Sequence, residues 1–210
     1  MNERQREKIL KVLTQHARRA SKKGAEAESQ KVSKLDNECV YHDGYVSLSL
    51  PLDLIESSHT VLDIRTKREI DRGVEYVELK DITRYTYPYE PYSNLDNYKS
   101  YEYSVEELLY RFKDLKSETW VEDDGTITIS GNDDEFFNSF GFRFRTLEFE
   151  TDGSTAVDVN YLLTVLKVMD ILRDKKVTLY LNTRNTLSPI ALYSDSVKGD
   201  VVPKLLGFSW

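Results

Sequence analysis

The sequence predicts an α+β fold made of two similar domains, each with amphipathic helices packed on antiparallel sheets. Three segments carry apolar residues at helical spacing, and short segments between them alternate as strands do. Residues 83–103 hold seven tyrosines and two prolines, a composition that breaks regular structure and favours an extended connector. We therefore predict one domain over residues 1–96, ending in this connector, and a second over residues 97–210.

The first predicted element is a helix over residues 2–23, which Gly24 ends. One face of this helix is apolar and another is basic. The apolar positions are Ile9, Val12, Leu13, His16, Ala17 and Ala20. The basic positions follow steps of four and three and comprise Arg4, Lys8, Lys11, Arg18 and Lys22, with Gln15 between them. Residues 24–34 are small and polar, which predicts a loop.

Short strands follow in the first half. The segment from Cys39 to Leu50 predicts a hairpin, because Asp43-Gly44 is a strong turn signal between two apolar runs. Pro51 opens a short helix through Ile55, and two more strands are predicted at 61–64 and 74–79. The segment 67–72 between them is too charged to be core.

The second half begins with a capping box, in which Ser104 and Glu107 satisfy free backbone N–H groups at a helix start. This helix runs to Leu115. The later predicted elements are a hairpin joining 119–121 to 126–130, a strand over 140–149, a helix over 160–172, a strand over 176–181, a strand led by Pro189 and a terminal strand from Val201.

Composition excludes several classes of protein. Hydrophobic residues make up 40% of the 210 residues, enough for a sizeable core. No apolar run approaches the roughly 20 residues of a membrane span, and no apolar signal core follows the basic N-terminal segment. The single cysteine, Cys39, excludes an intrachain disulfide and a cysteine-cluster metal site. We expect a cytoplasmic protein.

Charge is distributed unevenly along the chain. Residues 1–34 hold ten Lys and Arg against four acids, a net charge of +6, so the remainder carries −13 of the total of −7. An acidic body repels nucleic acid, whereas a basic strip attracts phosphate. The pattern suits a protein that touches DNA without gripping it, and also an ordinary solvated helix.

No catalytic motif stands out. The histidines His16, His42 and His59 lack metal-ligand spacing, and no glycine-rich phosphate loop is present. Two acidic clusters, 122–124 and 133–135, have the residue types that hold Mg²⁺ for nuclease chemistry, but acids beside glycine are more often turn residues. We expect no enzyme activity, cofactor or metal, with a metal-dependent nuclease as an alternative.

The last third of the chain resembles the final repeat of DNA sliding clamps. The resemblance rests on four runs in the family's order and spacing: Asn160-Tyr161-Leu162-Leu163, Val177-Thr178-Leu179-Tyr180-Leu181, Leu187-Ser188-Pro189 and Val201-Val202-Pro203-Lys204-Leu205. It covers about 50 residues well and extends loosely back to the helix at Ser104. Bacterial clamp subunits have three such domains, whereas this chain has room for two, the plan of archaeal, eukaryotic and some phage clamps.

The resemblance implies a processivity factor that encircles duplex DNA and tethers a polymerase or another replication protein. Because clamp rings have six domains, a two-domain chain would close as a homotrimer. The DNA-binding residues would be Arg4, Lys8, Lys11, Arg18 and Lys22. A pocket for a short partner peptide would include Tyr89, Tyr92, Val202, Pro203 and Leu205. The alternative within this fold is a protein-interaction module that does not encircle DNA.

Overall fold

The computed structural model describes residues 1–22, 31–34, 38–55, 60–64, 68–71, 98–117, 126–130, 145–148, 154–182 and 188–202. The helices are α1 (Glu3–Lys22), α2 (Val105–Ser117) and α3 (Val159–Leu172), with a 3₁₀ turn at Leu52–Leu54. The strands are β1 (Lys31–Lys34), β2 (Cys39–His42), β3 (Val46–Leu50), β4 (Thr60–Asp63), β5 (Arg68–Asp71), β6 (Tyr98–Ser104), β7 (Thr126–Ser130), β8 (Arg145–Glu148), β9 (Ser154–Asp158), β10 (Lys176–Asn182), β11 (Ile190–Tyr193) and β12 (Lys198–Val201).

Nine strands form one antiparallel sheet in the order β5-β4-β1-β2-β3-β12-β11-β10-β6. Its first five strands come from the first half of the chain and its last four from the second, and the two groups meet where β3 pairs with β12, with Val46 opposite Val201. The sheet is therefore continuous between the two halves. A second sheet has the order β8-β7-β9, in which β7 is parallel to β8 and antiparallel to β9.

The three helices pack on the inward face of the nine-stranded sheet around one buried apolar cluster. Helix α3 packs against both α1 and α2, and between Val159 and Met169 its side chains are buried except at Asn160 and Lys167. Strand β10 alternates buried Val177, Leu179 and Leu181 with half-buried neighbours, as its period-two pattern predicts. Each large apolar side chain buried here contributes about 1.5–3 kcal/mol. The α+β class is thus confirmed.

Both helices of the second half begin at a polar cap, and the one at Ser104 was predicted. The Ser104 hydroxyl accepts a hydrogen bond from the Glu107 backbone N–H (3.0 Å), as a capping box requires. The Asp158 carboxylate accepts one from the Asn160 backbone N–H (2.8 Å) at the start of α3. Helix α3 ends where Arg173 adopts a left-handed conformation, with φ of 69°.

Two sequence predictions about strands were wrong, those for residues 31–34 and for the terminal strand. Residues 31–34, predicted as loop, form β1, because backbone pairing with β2 and β4 on both sides compensates for a single large apolar residue, Val32. The charged segment 67–72, for which no strand is predicted, contains β5, an edge strand of the sheet beside β4. The terminal strand ends at Val201 instead of beginning there, since β12 pairs with β3 and β11 over residues 198–201.

Strand β7 pairs with β8 on one edge and with β9 on the other, and residues 119–121, its predicted hairpin partner, lie outside the described residues. The predicted strand at 74–79 lies outside the described residues, as does the domain boundary at residue 96. Within the described ranges, none of the helices has the length and apolar character needed to cross a membrane.

Candidate nucleic-acid interface

The basic face of α1 consists of the five predicted cationic residues, all of them exposed: Arg4, Lys8, Lys11, Arg18 and Lys22. Gln15, the neutral residue at the same spacing, is exposed as well. At 1.5 Å rise per residue, the positions from 4 to 22 extend over roughly 27 Å along one side of the helix. Within α1, seven bases against two acids give a net charge of +5, most of which faces solvent.

Polar contacts fix the first turn of α1 to its neighbours. The Gln5 side-chain amide donates to the Ile171 carbonyl at the end of α3 (2.9 Å), and Arg6 Nε donates to the Leu54 carbonyl (2.8 Å). Asn2 caps the helix, since its side chain accepts from the Gln5 backbone N–H (2.9 Å). The Met1 amino group pairs with Asp53. These contacts hold the N-terminal end of the basic face in one orientation.

A buried polar cluster lies behind the second half of α1. We call it the His16 cluster; it comprises His16, Tyr41, Asp43 and Thr164. His16 Nε2 lies 2.6 Å from Asp43 Oδ2, and Tyr41 donates to the same oxygen (2.9 Å). His16 Nδ1 lies 3.3 Å from the Thr164 hydroxyl on α3. The side chains of both His16 and Asp43 are at most 1% exposed. The cluster connects α1, the β2–β3 turn and α3.

Hydrogen bonding decides the ionisation of Asp43. Burial alone would raise the pKa of this carboxyl group, but the hydrogen bond and charge of His16 and the N–H groups of Val46 and Tyr45 lower the pKa overall. Burial, with Asp43 adding to the effect, raises the pKa of the Tyr41 phenol, so Tyr41 stays neutral and donates. Asp43 is therefore a carboxylate with its acceptor positions filled.

The other helices offer little positive charge. Nine of the 14 residues of α3 are buried. The charges of α2 cancel, because its three acids, Glu106, Glu107 and Asp114, are matched by three bases, Arg111, Lys113 and Lys116. Among the described residues of the three helices, the positive charge is concentrated on α1.

Of the five residues of the predicted peptide pocket, the structure describes one, Val202. Val202 is half-buried, and its backbone N–H donates to the Tyr45 carbonyl (2.9 Å), which extends the β3–β12 junction by one bond. Tyr89, Tyr92, Pro203 and Leu205 lie outside the described residues. So do both acidic clusters, 122–124 and 133–135. In the part of the chain that is described, no group of three His, Cys, Asp or Glu residues could hold a metal ion.

Sequence reasoning missed the His16 cluster as a unit. It placed His16 on the apolar face of α1 and Asp43 in a turn, and both positions are correct. The available signal was a histidine on an otherwise apolar helix face, which needs a polar partner when buried. The identity of that partner depends on the meeting of three segments distant in the chain.

Comparison with known proteins gives the fold. No protein-family model and no curated protein matches the sequence. The DNA polymerase III subunit beta of Borrelia burgdorferi is similar in structure, with a TM-score of 0.50 and 13% identity over 97% of this chain and 63% of that one. The chain thus spans slightly less than two thirds of that protein's length.

Two further solved structures are similar over a smaller part of the chain. The DNA polymerase III subunit beta of Pseudomonas aeruginosa gives a TM-score of 0.47 at 12% identity, covering 83% of this chain and 57% of that one. The DNA polymerase sliding clamp of Bacillus subtilis gives 0.46 at 10% identity, covering 84% and 56%. The Borrelia likeness confirms the family resemblance at the level of the fold, and the chain has the fold of a bacterial sliding clamp.

Proposed function

We propose that this chain is a cytoplasmic, non-enzymatic sliding-clamp-like processivity factor that encircles duplex DNA and tethers a polymerase or another replication protein. The observation that carries the proposal is the exposed basic face of α1 within a clamp fold. Exposed lysine and arginine side chains attract phosphates without reading base edges, which suits a protein that must move along DNA. The −13 charge outside residues 1–34 keeps DNA from other surfaces.

The proposed ring rests on the two predicted domains of the chain. With domains at 1–96 and 97–210, each subunit supplies two clamp domains. Three subunits joined head to tail would supply the six domains of a clamp ring. The 63% coverage of the Borrelia subunit is in keeping with two domains out of three.

The test of the basic face is reversal of three of its charges. We expect Arg4→Glu, Lys8→Glu and Lys11→Glu together to weaken binding to a duplex oligonucleotide, measured by fluorescence anisotropy from 50 to 200 mM salt. Each lost phosphate contact lowers the slope of log K against log salt by about 0.9, so the slope should fall by about 3. The thermal melting curve should keep its cooperativity, because all three side chains are exposed.

The matched control reverses three exposed lysines on or beside the sheet strands: Lys175, Lys176 and Lys198. This variant has the same net charge as the first, so any difference between them reports position and not total charge. Equal slopes in the two variants would count against α1 as the DNA-facing helix.

A clamp-fold interaction module that does not encircle DNA is the second candidate. The low positive charge of α2 and the burial of α3 favour it, because they leave α1 as the one strongly cationic helix among those described. A monomer without salt-dependent DNA affinity is its signature.

The nuclease alternative predicts Mg²⁺-dependent cleavage that Asp133→Ala and Asp134→Ala abolish, and an inert wild type removes it.

We propose the peptide pocket at Tyr89, Tyr92, Val202, Pro203 and Leu205, of which Val202 lies next to the β3–β12 junction. A labelled decapeptide with Leu and Phe anchors should bind the full chain and lose binding when its anchors are replaced by alanine. Deletion of residues 203–210 should abolish binding while leaving β12 paired on both sides. Unaltered peptide affinity of the shortened chain would place the pocket elsewhere.

A further inference from the structure

The second half of α1 has little apolar surface to hold it in place. The large buried apolar side chains Ile9, Leu10 and Leu13 lie before residue 14, whereas the buried residues after Leu13 are Thr14, His16, Ala17 and Ala20. Because hydrophobic stabilisation scales with the apolar area removed from water, alanines contribute little. The position of this half, which carries Arg18 and Lys22, therefore depends on polar contacts.

Asp43 requires a proton on His16 Nε2. Asp43 Oδ1 accepts from the backbone N–H groups of Tyr45 (3.0 Å) and Val46 (2.9 Å), and Oδ2 accepts from Tyr41. One acceptor position then remains at Oδ2. His16 Nε2 lies 2.6 Å from Oδ2 and fills this position. An ionised carboxylate only accepts hydrogen bonds, so Nε2 donates.

Thr164 requires a proton on the other ring nitrogen. Its hydroxyl has one hydrogen and lies 2.8 Å from the Asn160 carbonyl, which can only accept, and 3.3 Å from His16 Nδ1. The shorter contact takes the hydroxyl hydrogen. His16 Nδ1 must then donate to the Thr164 oxygen, which leaves both ring nitrogens of His16 as donors. A histidine with two donor nitrogens is an imidazolium.

We propose that His16 is a buried imidazolium at pH 7, and that its hydrogen bonds to Asp43 and Thr164 hold the second half of α1 against α3 and the β2–β3 turn. The titratable groups that face it from the packed elements are Asp43 in the turn, Tyr41 on β2 and Tyr161 on α3, with the two rings edge-on at 5.9 and 5.3 Å. His16 thereby acts as a positioning residue for the C-terminal part of the basic face.

The protonation of His16 is measured directly by long-range proton–nitrogen NMR on the nitrogen-15-labelled full chain at pH 7. We expect both His16 nitrogens to show the protonated signature. Burial lowers the pKa of His42, so its ring should be neutral in the same spectrum and serves as an internal reference. His16→Gln and His42→Gln assign the signals by their loss. An unprotonated His16 nitrogen at pH 7 overturns the proposal.

The positioning role is tested with two substitutions of one residue. Thr164→Val removes the acceptor but keeps the shape, whereas Thr164→Ser keeps the hydroxyl. By amide hydrogen exchange, we expect Thr164→Val to lower protection of residues 17–21 by about tenfold or more relative to residues 9–13, and Thr164→Ser to restore it. Unchanged protection, equal losses in both variants, or a uniform loss along α1 would each refute the role.

The NMR and exchange measurements use no DNA, so they stand apart from the proposed function. If Thr164→Val fails to fold, the protonation of wild-type His16 still decides the proposal. Only the consequence for Arg18 and Lys22 rests on the proposed function. Success of the NMR and exchange tests together with a failed DNA-binding test would remove the clamp function and leave the His16 cluster intact.

Discussion

Asp43 shows how one side chain can serve local and tertiary structure at once. Its Oδ1 accepts the backbone N–H groups that close the β2–β3 turn, as expected of Asp before Gly44, whose φ is 85°. Its Oδ2 accepts from Tyr41 and pairs with His16 on α1. The turn role is visible in the sequence, whereas the second role exists because α1 folds back over the turn.

We predict a pH-dependent effect of Asp43→Asn. Since the folded state lowers the pKa of Asp43, its stabilisation is complete above the unfolded value of about 3.9 and is lost as pH falls through the lower folded value. Removing one partner of a buried pair costs about 3 to 5 kcal/mol at pH 7. Urea unfolding from pH 7 to 2.5 should show a stability difference from wild type that shrinks as the pH falls below 4.

The control for this experiment is Asp53→Asn, which changes an exposed carboxylate that pairs with the N-terminal amino group. Its effect should stay within about 1 kcal/mol, as for other surface ion pairs. If the unfolding free energies of wild type and Asp43→Asn differed by the same amount at pH 3 as at pH 7, the folded protein would not favour the ionised carboxylate.

At the scale of elements, the approach of α3 to β12 requires a glycine. A Cβ built on Gly199 would lie 2.4 Å from Val165 Cγ1 on α3 and 3.1 Å from Leu48 Cδ2 on β3. The contact lies at the β3–β12 junction, where Gly199 is opposite Leu48. Any side chain at position 199 would therefore move the helix away from the joined sheet.

We predict that Gly199→Ala destabilises the fold by about 1–3 kcal/mol, the usual cost of overpacking a core. Adding Val165→Ala makes room for the new methyl group, so the double variant should lose less stability than the sum of the losses of the two single variants. Thermal or urea unfolding of the four proteins in this cycle gives the coupling. Strict additivity would show that the methyl group does not meet Val165.

Gly44→Ala tests the cost of backbone conformation at a position where a new methyl group meets no neighbouring atom. No atom lies within 4 Å of a Cβ built there, but the positive φ costs an ordinary residue about 1–2 kcal/mol. Its effect should add to that of Val165→Ala without coupling. Coupling of similar size at both glycines would contradict a local steric cause at Gly199.

At the scale of the whole molecule, the β3–β12 pairing joins the halves of the chain into one nine-stranded sheet. Helix α3 reinforces the junction by packing on α1 from the first half and α2 from the second. We therefore expect the two halves to unfold together, with coincident transitions by tyrosine fluorescence and circular dichroism.

The proposed ring predicts a defined mass. Three chains of 24.4 kDa give about 73 kDa, and light scattering after gel filtration should detect this species over a range of protein concentrations. In a head-to-tail assembly, each open end leaves an interface unpaired until the ring is complete. We therefore expect the chains to associate into the closed ring. A monomer of 24.4 kDa at high concentration would exclude the autonomous ring and favour the interaction module.

The sequence by itself determined the α+β class, the three helices, the turn at Asp43-Gly44 and the basic face of α1. Each of these depends on residues close together in the chain, through helical spacing, caps and turn residues. Tertiary structure alone decided that β1 and β5 are strands, that β7 lies between β8 and β9, and that His16 meets Asp43 and Thr164. These features depend on pairing and burial between distant segments, because a short polar strand or a buried histidine finds its partner only when the whole chain folds.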